Sequence, residues 1–302
     1  MQNTNFFESF IENLFNGKFL KNFFLSQYTS FRCGGKVKYL IFPETIDEVK
    51  KIIEISKKYK KDFIFLGKGT NVLVSDNGFD GIVISSLKMK KKTIEENKIV
   101  CECGLEISEI LNICIKNFLT GLEFLSGIPG TIGGAIKNNA GLKTKWISEK
   151  ITYVEYLDVE NLEIIKKERK DIYFDYRRSG FKNEFIWKVE FLLEKEKQEV
   201  IKKRIREYMK ERIKKQPIGY SAGCIFKNPY PYYAGELIEK CGLKGYKIGD
   251  CHISEKHANF IINNGKGKSK DIYSLIEVIR KKVKEKFNID LELEINLIGD
   301  FQ

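Results

Sequence analysis

Residues 126–141 read SGIPGTIGGAIKNNAG, and this glycine-rich stretch decides how the rest of the chain is interpreted. Glycine recurs too often for the interior of a helix or strand, and polar residues are too few for a flexible linker. Because the glycines remove side chains and Pro129 restricts one φ angle, the backbone can lie close against a large planar or phosphorylated ligand. Long irregular loops also tend to be functional. The stretch therefore predicts a ligand-binding loop, with a long structural loop as the alternative.

A second glycine loop, GKGTN at residues 67–71, directly follows a short apolar run at 63–66 that predicts a strand. Its backbone N–H groups can point into one concavity, to which threonine and asparagine add side-chain donors. That combination suits a pyrophosphate. A plain turn between strands is the alternative. The spacing matches neither a Walker A loop nor the G-x-G-x-x-G dinucleotide fingerprint.

Other patterns along the chain predict a mixture of helices and strands. Thr45 and Glu48 have the spacing of a capping box, which predicts a helix that continues to about Tyr59. Hydrophobic periodicity predicts further helices at about 4–16, 107–118, 197–215, 233–241 and 269–286, and strands at 72–74, 81–84, 98–103, 151–158, 185–193, 259–263 and 291–298. The strongly charged helix that begins after residue 195 predicts a domain boundary there.

Composition limits the class of protein. The 302 residues are 42% hydrophobic and 31% charged, as in a soluble globular protein of two or three domains. No apolar run approaches the ~20 residues of a transmembrane helix, and the N-terminus lacks the pattern of a signal peptide. We therefore expect a cytoplasmic protein that does not act at a membrane. We also expect it to be a monomer. The net charge of +12 is spread along the chain without a nucleic-acid motif, so we expect phosphate-bearing small molecules rather than nucleic acid as partners.

The cysteines argue against both disulfides and metal binding. Seven cysteines at irregular spacing do not form a disulfide framework, and with two histidines in the chain we expect no metal site. Cys224 stands alone in SAGCIFKNP (221–229). Free cysteines are mostly small core residues, so a buried filler is one interpretation and a reactive thiol the other.

Two polar motifs carry further candidates. In DYRRSG (175–180), an arginine beside a tyrosine can hold a carboxylate or stabilise an enolate through its planar donors, although a surface turn is the alternative. In LELEINLIG (291–299), strand periodicity predicts that Glu292 and Glu294 share one face. A solvated position suits Glu292, whereas the role of Glu294 depends on what it faces.

Seven segments, in family order and spread over nearly the whole chain, resemble the UDP-N-acetylenolpyruvoylglucosamine reductase (MurB) family. They are TSFRCGG (29–35), GKGTN (67–71), SGIPGTIGGAIKNNAG (126–141), YRRS (176–179), SAGCIFKNP (221–229), KHANFIIN (256–263) and EINLIG (294–299). The resemblance implies an α+β protein. Residues 1–86 and 87–195 would form the two subdomains of the FAD-binding fold of the vanillyl-alcohol oxidase and p-cresol methylhydroxylase type, and residues 196–302 a substrate domain. The chain looks like the shorter family type, which lacks an inserted tyrosine-bearing loop.

The resemblance also implies a reaction and its ligands. Members bind FAD non-covalently, take hydride from NADPH and reduce UDP-N-acetylglucosamine enolpyruvate to UDP-N-acetylmuramate for peptidoglycan synthesis. The FAD contacts that it implies are Gly67, Lys68, Gly69, Thr70, Asn71, Gly127, Ile128, Pro129, Gly130, Thr131, Gly133, Gly134, Ala135, Asn139 and Gly141. The implied substrate contacts are Tyr176, Lys227 and Asn228. His257, in KHANF, is given no catalytic role.

Three residues carry the chemistry that the resemblance implies. Arg177 and Glu294 would flank the substrate carboxylate and stabilise the enolate-like state, for which Glu294 must hold a proton. The family usually has serine at the position of Cys224. An unperturbed thiol gives up its proton near pH ~8.5, far below a hydroxyl. Cys224 is therefore the predicted proton donor, acting as a neutral thiol.

Two other functions stay open on the sequence. A nucleotide-binding protein without catalysis could use the same fold, although mere binding would not need the Arg177, Cys224 and Glu294 set. A flavin oxidase or dehydrogenase acting on an alcohol is the second, although such relatives lack the KHANF and EINLIG segments.

Overall fold

A computed structural model describes residues 2–142 and 144–301, with side chains from Phe7 onward. The helices are α1 (Gln2–Leu14), α2 (Ile46–Lys58), α3 (Ile107–Lys116), α4 (Ile132–Lys137), α5 (Gln198–Lys215), α6 (Ala234–Lys240) and α7 (Ser269–Phe287). Within the described part of the chain, none of them combines the length and the apolar content that crossing a bilayer requires.

The strands are mostly short. They are β1 (Phe19–Phe24), β2 (Lys36–Ile41), β3 (Phe63–Leu66), β4 (Val72–Val74), β5 (Phe79–Ser85), β6 (Lys92–Glu95), β7 (Lys98–Glu102), β8 (Leu119–Thr120), β9 (Gly141–Leu142), β10 (Lys145–Trp146), β11 (Ile151–Leu157), β12 (Ile164–Glu168), β13 (Phe174–Asp175), β14 (Arg178–Ser179), β15 (Phe185–Leu192), β16 (Glu194–Lys195), β17 (Lys247–Ile248), β18 (Cys251–Ile253), β19 (Ile261–Asn263) and β20 (Asn296–Ile298).

The chain folds into two compact units, each made of separated segments. The first unit comprises Met1–Leu20, Leu40–Lys68 and Ile82–Arg212, and the second comprises Lys21–Tyr39, Gly69–Gly81 and Ile213–Gln302. The three-domain division of the sequence, with boundaries after residues 86 and 195, stays a prediction.

The first unit is built on a five-stranded antiparallel sheet with the order β12–β11–β15–β7–β6. Val189 on the central strand pairs with Val154 on one side and Cys101 on the other, and all three are buried. Each fully buried aliphatic side chain contributes about 1.5–3 kcal/mol to folding. These paired residues thus belong to the buried face of the sheet.

Helix α2 begins where the capping pattern predicts. The Thr45 hydroxyl accepts the N–H of Glu48 at 3.2 Å, and the Glu48 carboxylate accepts the N–H of Glu44 at 2.6 Å. Acidic residues in the first turn and Lys57 and Lys58 in the last complement the helix dipole. The prediction of this helix, and that of the strand at 63–66, is confirmed.

The glycine-rich stretch contains a helix, so the prediction that its glycines exclude one is wrong. Thr131 caps α4 by accepting the Gly134 N–H at 3.4 Å, and the Gly133 N–H donates to the Cys103 carbonyl at 2.9 Å. A Cβ on Gly133 would lie 2.8 Å from the Cβ of Cys103. Glycine is therefore needed for this close approach, which outweighs its helix penalty of about 1 kcal/mol.

Helix α7 organises the core of the second unit. Its buried apolar residues are Ile272, Leu275, Ile276, Ile279 and Val283, which pack in one cluster with residues of α6, β18 and β19. The Asp76 carboxylate accepts the N–H groups of Ser269 and Lys270, each at 2.9 Å, and so satisfies the first turn of α7. A distant part of the chain therefore fixes where this helix begins.

The predicted C-terminal strand at 291–298 is shorter than the alternation suggests. Only Asn296–Ile298 form a regular strand, which pairs in parallel with β4. Leu293 makes an isolated bridge to Phe226, and the chain bends at Glu294. The prediction that Glu292 and Glu294 share a regular strand face is therefore wrong.

Smaller differences concern the ends of elements. The helix predicted at 4–16 spans Gln2–Leu14, and the strand predicted at 259–263 begins at Ile261. The helix predicted to reach 118 ends at Lys116, followed by Phe118 in the left-handed region (φ 58°). Hydrophobic periodicity does not resolve where a terminal turn stops.

Candidate functional site

Cys224 lies in an irregular strand that runs between two other segments of the second unit. Cys224 itself forms an isolated antiparallel bridge with Phe260. Two residues on, Phe226 forms a bridge of the same kind with Leu293. The half-buried cysteine is therefore held by backbone pairing that comes from residues far away in the sequence.

Glu294 is anchored next to this segment. Its N–H donates to the carbonyl of Ile225, the neighbour of Cys224, at 2.8 Å. Its own carbonyl accepts a hydrogen bond from the Asn71 side chain at 2.9 Å. The second unit thus brings together Asn71, Cys224 and Glu294, three residues that the sequence singles out.

Asn259 is a residue whose role the sequence interpretation missed. Its side-chain oxygen accepts the N–H of Phe226 at 2.9 Å, and its side-chain nitrogen donates to the Phe226 carbonyl at 2.8 Å. Asn259 is 2% exposed. Its amide acts as an additional backbone unit beside the Cys224 segment. Its position in the KHANF motif was a sequence signal that could have drawn attention to it. Spacing alone, however, could not identify Phe226, 33 residues away, as its partner.

Lys227 and Asn228, the predicted substrate contacts in this unit, have protein partners. The Lys227 ammonium lies 2.6 Å from the carboxylate of Glu292, which is exposed as the sequence suggested. The Asn228 side chain accepts the N–H of Ala234 at 3.0 Å, at the first residue of α6. This hydrogen bond therefore joins the two ends of the loop that precedes α6.

His257 makes contacts within the same unit. Its Nδ1 accepts the Asn259 N–H at 3.2 Å, and its ring lies 4.9 Å from that of Phe260. Burial, the largest effect, lowers the pKa of His257, and the positive charge of Lys244 lowers it further. A neutral ring that accepts a backbone hydrogen bond is typical of a structural histidine.

Arg177 belongs to the first unit and lies in the two-residue turn between β13 and β14. Asp175 pairs with Arg178 at the base of the turn, and Arg177 adopts the left-handed conformation (φ 51°), which is uncommon for a non-glycine residue. Its Nη1 donates to the Gly141 carbonyl at 3.1 Å. The neighbouring Tyr176 ring lies within 5.7 Å of the guanidinium.

The two predicted ligand loops meet at Gly67 and Thr131. A Cβ on Gly67 would lie 2.6 Å from the Thr131 hydroxyl oxygen, so glycine permits their contact. Gly134 differs, because it is exposed and a Cβ there would meet nothing closer than that same oxygen at 3.7 Å. Its φ is also outside the left-handed region. Neither packing nor backbone conformation requires glycine at position 134, so the open space beside it can accept a ligand.

Several other residues predicted to contact the cofactor make contacts within the protein. The buried Asn139 donates to the Asp175 carbonyl at 3.0 Å. Lys68 forms an ion pair with Glu106, and a Cβ on Gly69 would clash with the Tyr28 carbonyl. Of the rest, Gly127 and Pro129 are exposed, Thr70, Ile128 and Gly130 are half-buried, and Ala135 is buried.

Comparison with known proteins identifies what the chain resembles. The family model described as "UDP-N-acetylenolpyruvoylglucosamine reductase, C-terminal domain" matches residues 214–298, and the one described as "FAD binding domain" matches residues 37–164. A UDP-N-acetylenolpyruvoylglucosamine reductase of Caldicellulosiruptor saccharolyticus is 44% identical over 98% of this chain and 96% of its own length. The same-named protein of Clostridium novyi is 41% identical over 96% and 95%, respectively.

Solved structures agree with these relatives. The crystal structure of the UDP-N-acetylenolpyruvylglucosamine reductase (MurB) of Thermus caldophilus is 32% identical, with a TM-score of 0.80 over 92% of this chain and 98% of that one. An alkyldihydroxyacetonephosphate synthase, 14% identical with a TM-score of 0.50 over 63% of this chain and 43% of that one, shares the fold alone. The predicted α+β class with an FAD-binding fold is confirmed.

Proposed function

The chain belongs to the UDP-N-acetylenolpyruvoylglucosamine reductase family, and we propose that it uses NADPH to reduce UDP-N-acetylglucosamine enolpyruvate to UDP-N-acetylmuramate. It is an enzyme of that family with an FAD-binding domain. The observation that supports the proposed mechanism is the hydrogen bond from the Glu294 N–H to the carbonyl of Ile225, which joins the backbone of the proposed acid to that of the residue next to Cys224.

Gly134 supports FAD as the cofactor. The open side of this exposed glycine leaves room for a ligand against the backbone, whereas Gly133 and Gly67 are explained by packing. The segments 67–71 and 127–141 are the residues that would hold FAD. When bound and reduced by NADPH, the flavin would supply the hydride that adds to the enolpyruvyl double bond.

Arg177 is the proposed carboxylate-binding residue. The guanidinium is charged at every relevant pH, and its planar donors match the geometry of a carboxylate. Hydride addition leaves negative charge on the carbon beside that carboxylate, and fixed positive charge lowers the energy of this state most. Glu294, in its protonated form, would donate a second hydrogen bond to the same group.

Cys224 is the proposed proton donor to the carbanionic carbon. Cys224 is half-buried, and its backbone bridge to Phe260 and the hydrogen bond from Glu294 to the neighbouring Ile225 hold this segment at a defined place. Tyr176, Lys227 and Asn228 are proposed to contact the substrate around this centre. A lysine suits a diphosphate because its ammonium is a compact point charge.

The protein is further proposed to work as a cytoplasmic monomer in peptidoglycan precursor synthesis, in three domains bounded after residues 86 and 195. Sizing of the purified protein by light scattering tests the monomer. Limited proteolysis tests the boundaries, which we expect to be the preferred cleavage sites.

An anaerobic spectral cycle tests the function. The purified protein should be yellow, lose the oxidised flavin bands on addition of NADPH, and regain them when UDP-N-acetylglucosamine enolpyruvate is added. A colourless protein that does not take up FAD would support a binding protein without catalysis. Recovery with an alcohol's ketone product but not with the enolpyruvyl sugar would support the oxidase or dehydrogenase alternative.

A further inference from the structure

Two aromatic rings flank the guanidinium of Arg177. Its central carbon lies 5.9 Å from the centre of the Trp146 ring and 5.7 Å from that of Tyr176. The two rings meet edge to face, with centres 5.9 Å apart and planes at 85°. A cation within about 6 Å of a ring centre is attracted to the negative face of that ring, most strongly for tryptophan.

The hairpin of β9 and β10 explains why Trp146 occupies this place. Trp146 pairs directly with Gly141 across the hairpin. A Cβ on Gly141 would lie 2.3 Å from a carbon of the Trp146 ring, so the indole covers the bare glycine backbone. The Gly141 carbonyl is also the acceptor for Arg177 Nη1 at 3.1 Å. One cross-strand pair therefore supplies both a carbonyl and an aromatic ring to the same guanidinium.

The backbone that carries Arg177 is fixed independently of its side chain. Asn139 donates to the Asp175 carbonyl at 3.0 Å, and the Ser179 hydroxyl donates to the Lys137 carbonyl at 2.7 Å. These bonds hold both strands of the hairpin on either side of the turn. The direction of the long arginine side chain must be set by what its end contacts, which includes Trp146.

We propose that Trp146 is a positioning residue that orients the Arg177 guanidinium toward the substrate carboxylate. The inference rests on the proposed role of Arg177 in binding that carboxylate. Attraction to an aromatic face occupies none of the five N–H donors of a guanidinium, so the ring can restrict the side chain without competing with the substrate. Before substrate binds, this restriction removes part of the rotamer entropy that binding would otherwise cost.

Substitutions at Trp146 that separate aromatic character from size test the inference. Trp146→Leu keeps an apolar side chain but removes the ring, and should raise the substrate Kd of the oxidised holoenzyme by about 2- to 12-fold, the range expected when one long side chain must be immobilised on binding. Trp146→Phe should have a Kd closer to that of the wild type than Trp146→Leu because it retains a ring face. Calorimetric titration measures both.

A matched control uses the other tryptophan of the chain. The Trp187 ring also contacts a cation, with the Lys188 ammonium 3.7 Å from its centre. Trp187→Leu should leave the substrate Kd unchanged, whereas a general loss of rigidity would affect both leucine variants.

Combination with Arg177→Ala separates the inference from the function on which it rests. If Arg177→Ala binds and reduces substrate normally, the proposed role of Arg177 is wrong. If Arg177→Ala is impaired but Trp146→Leu equals the wild type, Trp146 does not position Arg177. The Trp146→Leu effect should also vanish in the Arg177→Ala background, and an unchanged effect there would overturn the inference in favour of a purely structural tryptophan.

Discussion

Burial distinguishes Cys224 from the cysteines that fill the core. Burial raises the pKa of Cys33 to about 11 and that of Cys103 and Cys251 to about 12, and all three are at most 5% exposed. Such thiols stay protonated and inaccessible at neutral pH. Cys224 is half-buried, so solvent or a ligand can reach it. The sequence left open whether Cys224 is a buried filler or a reactive thiol. Its half-buried position favours a thiol that can react, and replacement of the residue can distinguish the two.

Replacement of Cys224 tests whether its thiol delivers the proton. Cys224→Ala should leave flavin reduction by NADPH intact but slow reoxidation by substrate about 10²- to 10⁴-fold, the usual contribution of a general acid. Cys224→Ser should retain substantial activity because a hydroxyl can replace the donor. Rapid mixing measures the two half-reactions separately. Cys241→Ala, at another half-buried cysteine, is the matched control. Normal reoxidation in Cys224→Ala would rule out the thiol as the donor.

The titration of His257 predicts a stability difference in weak acid. Because burial lowers its pKa, the unfolded chain binds the proton more readily, so the contribution of His257 is complete above about pH 6.5 and is lost as the pH falls through its lowered folded value. His257→Asn can keep an acceptor near the Asn259 N–H without titrating. Its melting temperature should therefore fall less between pH 7 and pH 5 than that of the wild type.

A second variant separates titration from lost contacts at the same site. His257→Phe also cannot titrate, so it should show the same shallow pH dependence, but with lower stability at pH 7 because the Asn259 N–H loses its acceptor. Thermal unfolding monitored by circular dichroism across the pH series measures both. Parallel pH dependences for the wild type and both variants would contradict a lowered pKa at His257.

Among the elements, the segment of Cys224 depends most on a single buried side chain. Asn259→Ala would remove both hydrogen bonds to the Phe226 backbone, and unsatisfied buried groups cost about 1–3 kcal/mol each. We expect a loss of about 2–6 kcal/mol in the free energy of unfolding. Chemical denaturation measures it, with the exposed Asn264→Ala as control.

The chemistry of Asn259 can also be tested in a folded protein. Asn259→Asp keeps the oxygen that accepts the Phe226 N–H but puts a buried carboxyl against the Phe226 carbonyl, so its stability should rise relative to that of the alanine variant in acid, where the protonated carboxyl can donate. If the segment is loosened, iodoacetamide should modify Cys224 faster in this variant than in the wild type. Equal stability of Asn259→Ala and wild type would show that the buried amide does not hold the segment.

How far the sequence predicts an element depends on whether local or distant contacts fix it. The start of α2 follows from Thr45 and Glu48, which lie within one turn, and the prediction is accurate. Helix α4 is stabilised by Cys103, and Glu294 is drawn out of the predicted strand by Ile225 and Asn71. These partners are close in space but distant in sequence, so hydrophobic periodicity along the chain cannot reveal them.

The candidate site follows the same rule. Motifs identified the segments of Arg177, Cys224 and Glu294, because residue type and order are enough for a resemblance. They did not identify Asn259 or Trp146, whose importance comes from a backbone partner and a cation that only the folded chain brings near. The residue types alone would not distinguish them from ordinary core or surface residues.

Across the whole molecule, the glycines include two groups, those that close packing requires and one that leaves open space beside the backbone. Gly133, Gly141 and Gly67 allow close contacts within the first unit, since a Cβ at each would lie 2.8 Å or less from another atom. Gly134 has no such contact and is exposed. Substitution at the former positions should therefore destabilise the protein itself, whereas substitution at the latter should affect the bound ligand.

Removal of FAD should lower the melting temperature of the whole protein, because a ligand that binds only the folded state stabilises it. At a free FAD concentration 100 times its Kd the gain is about 2.7 kcal/mol, or roughly 4 °C for a chain of this size. Gly134→Ala apoprotein should melt like wild-type apoprotein but gain much less on adding FAD. Gly180→Ala, whose added Cβ would lie 3.5 Å from Tyr173, is the matched control and should keep the full gain. Differential scanning calorimetry with and without FAD decides, since an equal gain in all three proteins would mean that FAD does not lie against Gly134.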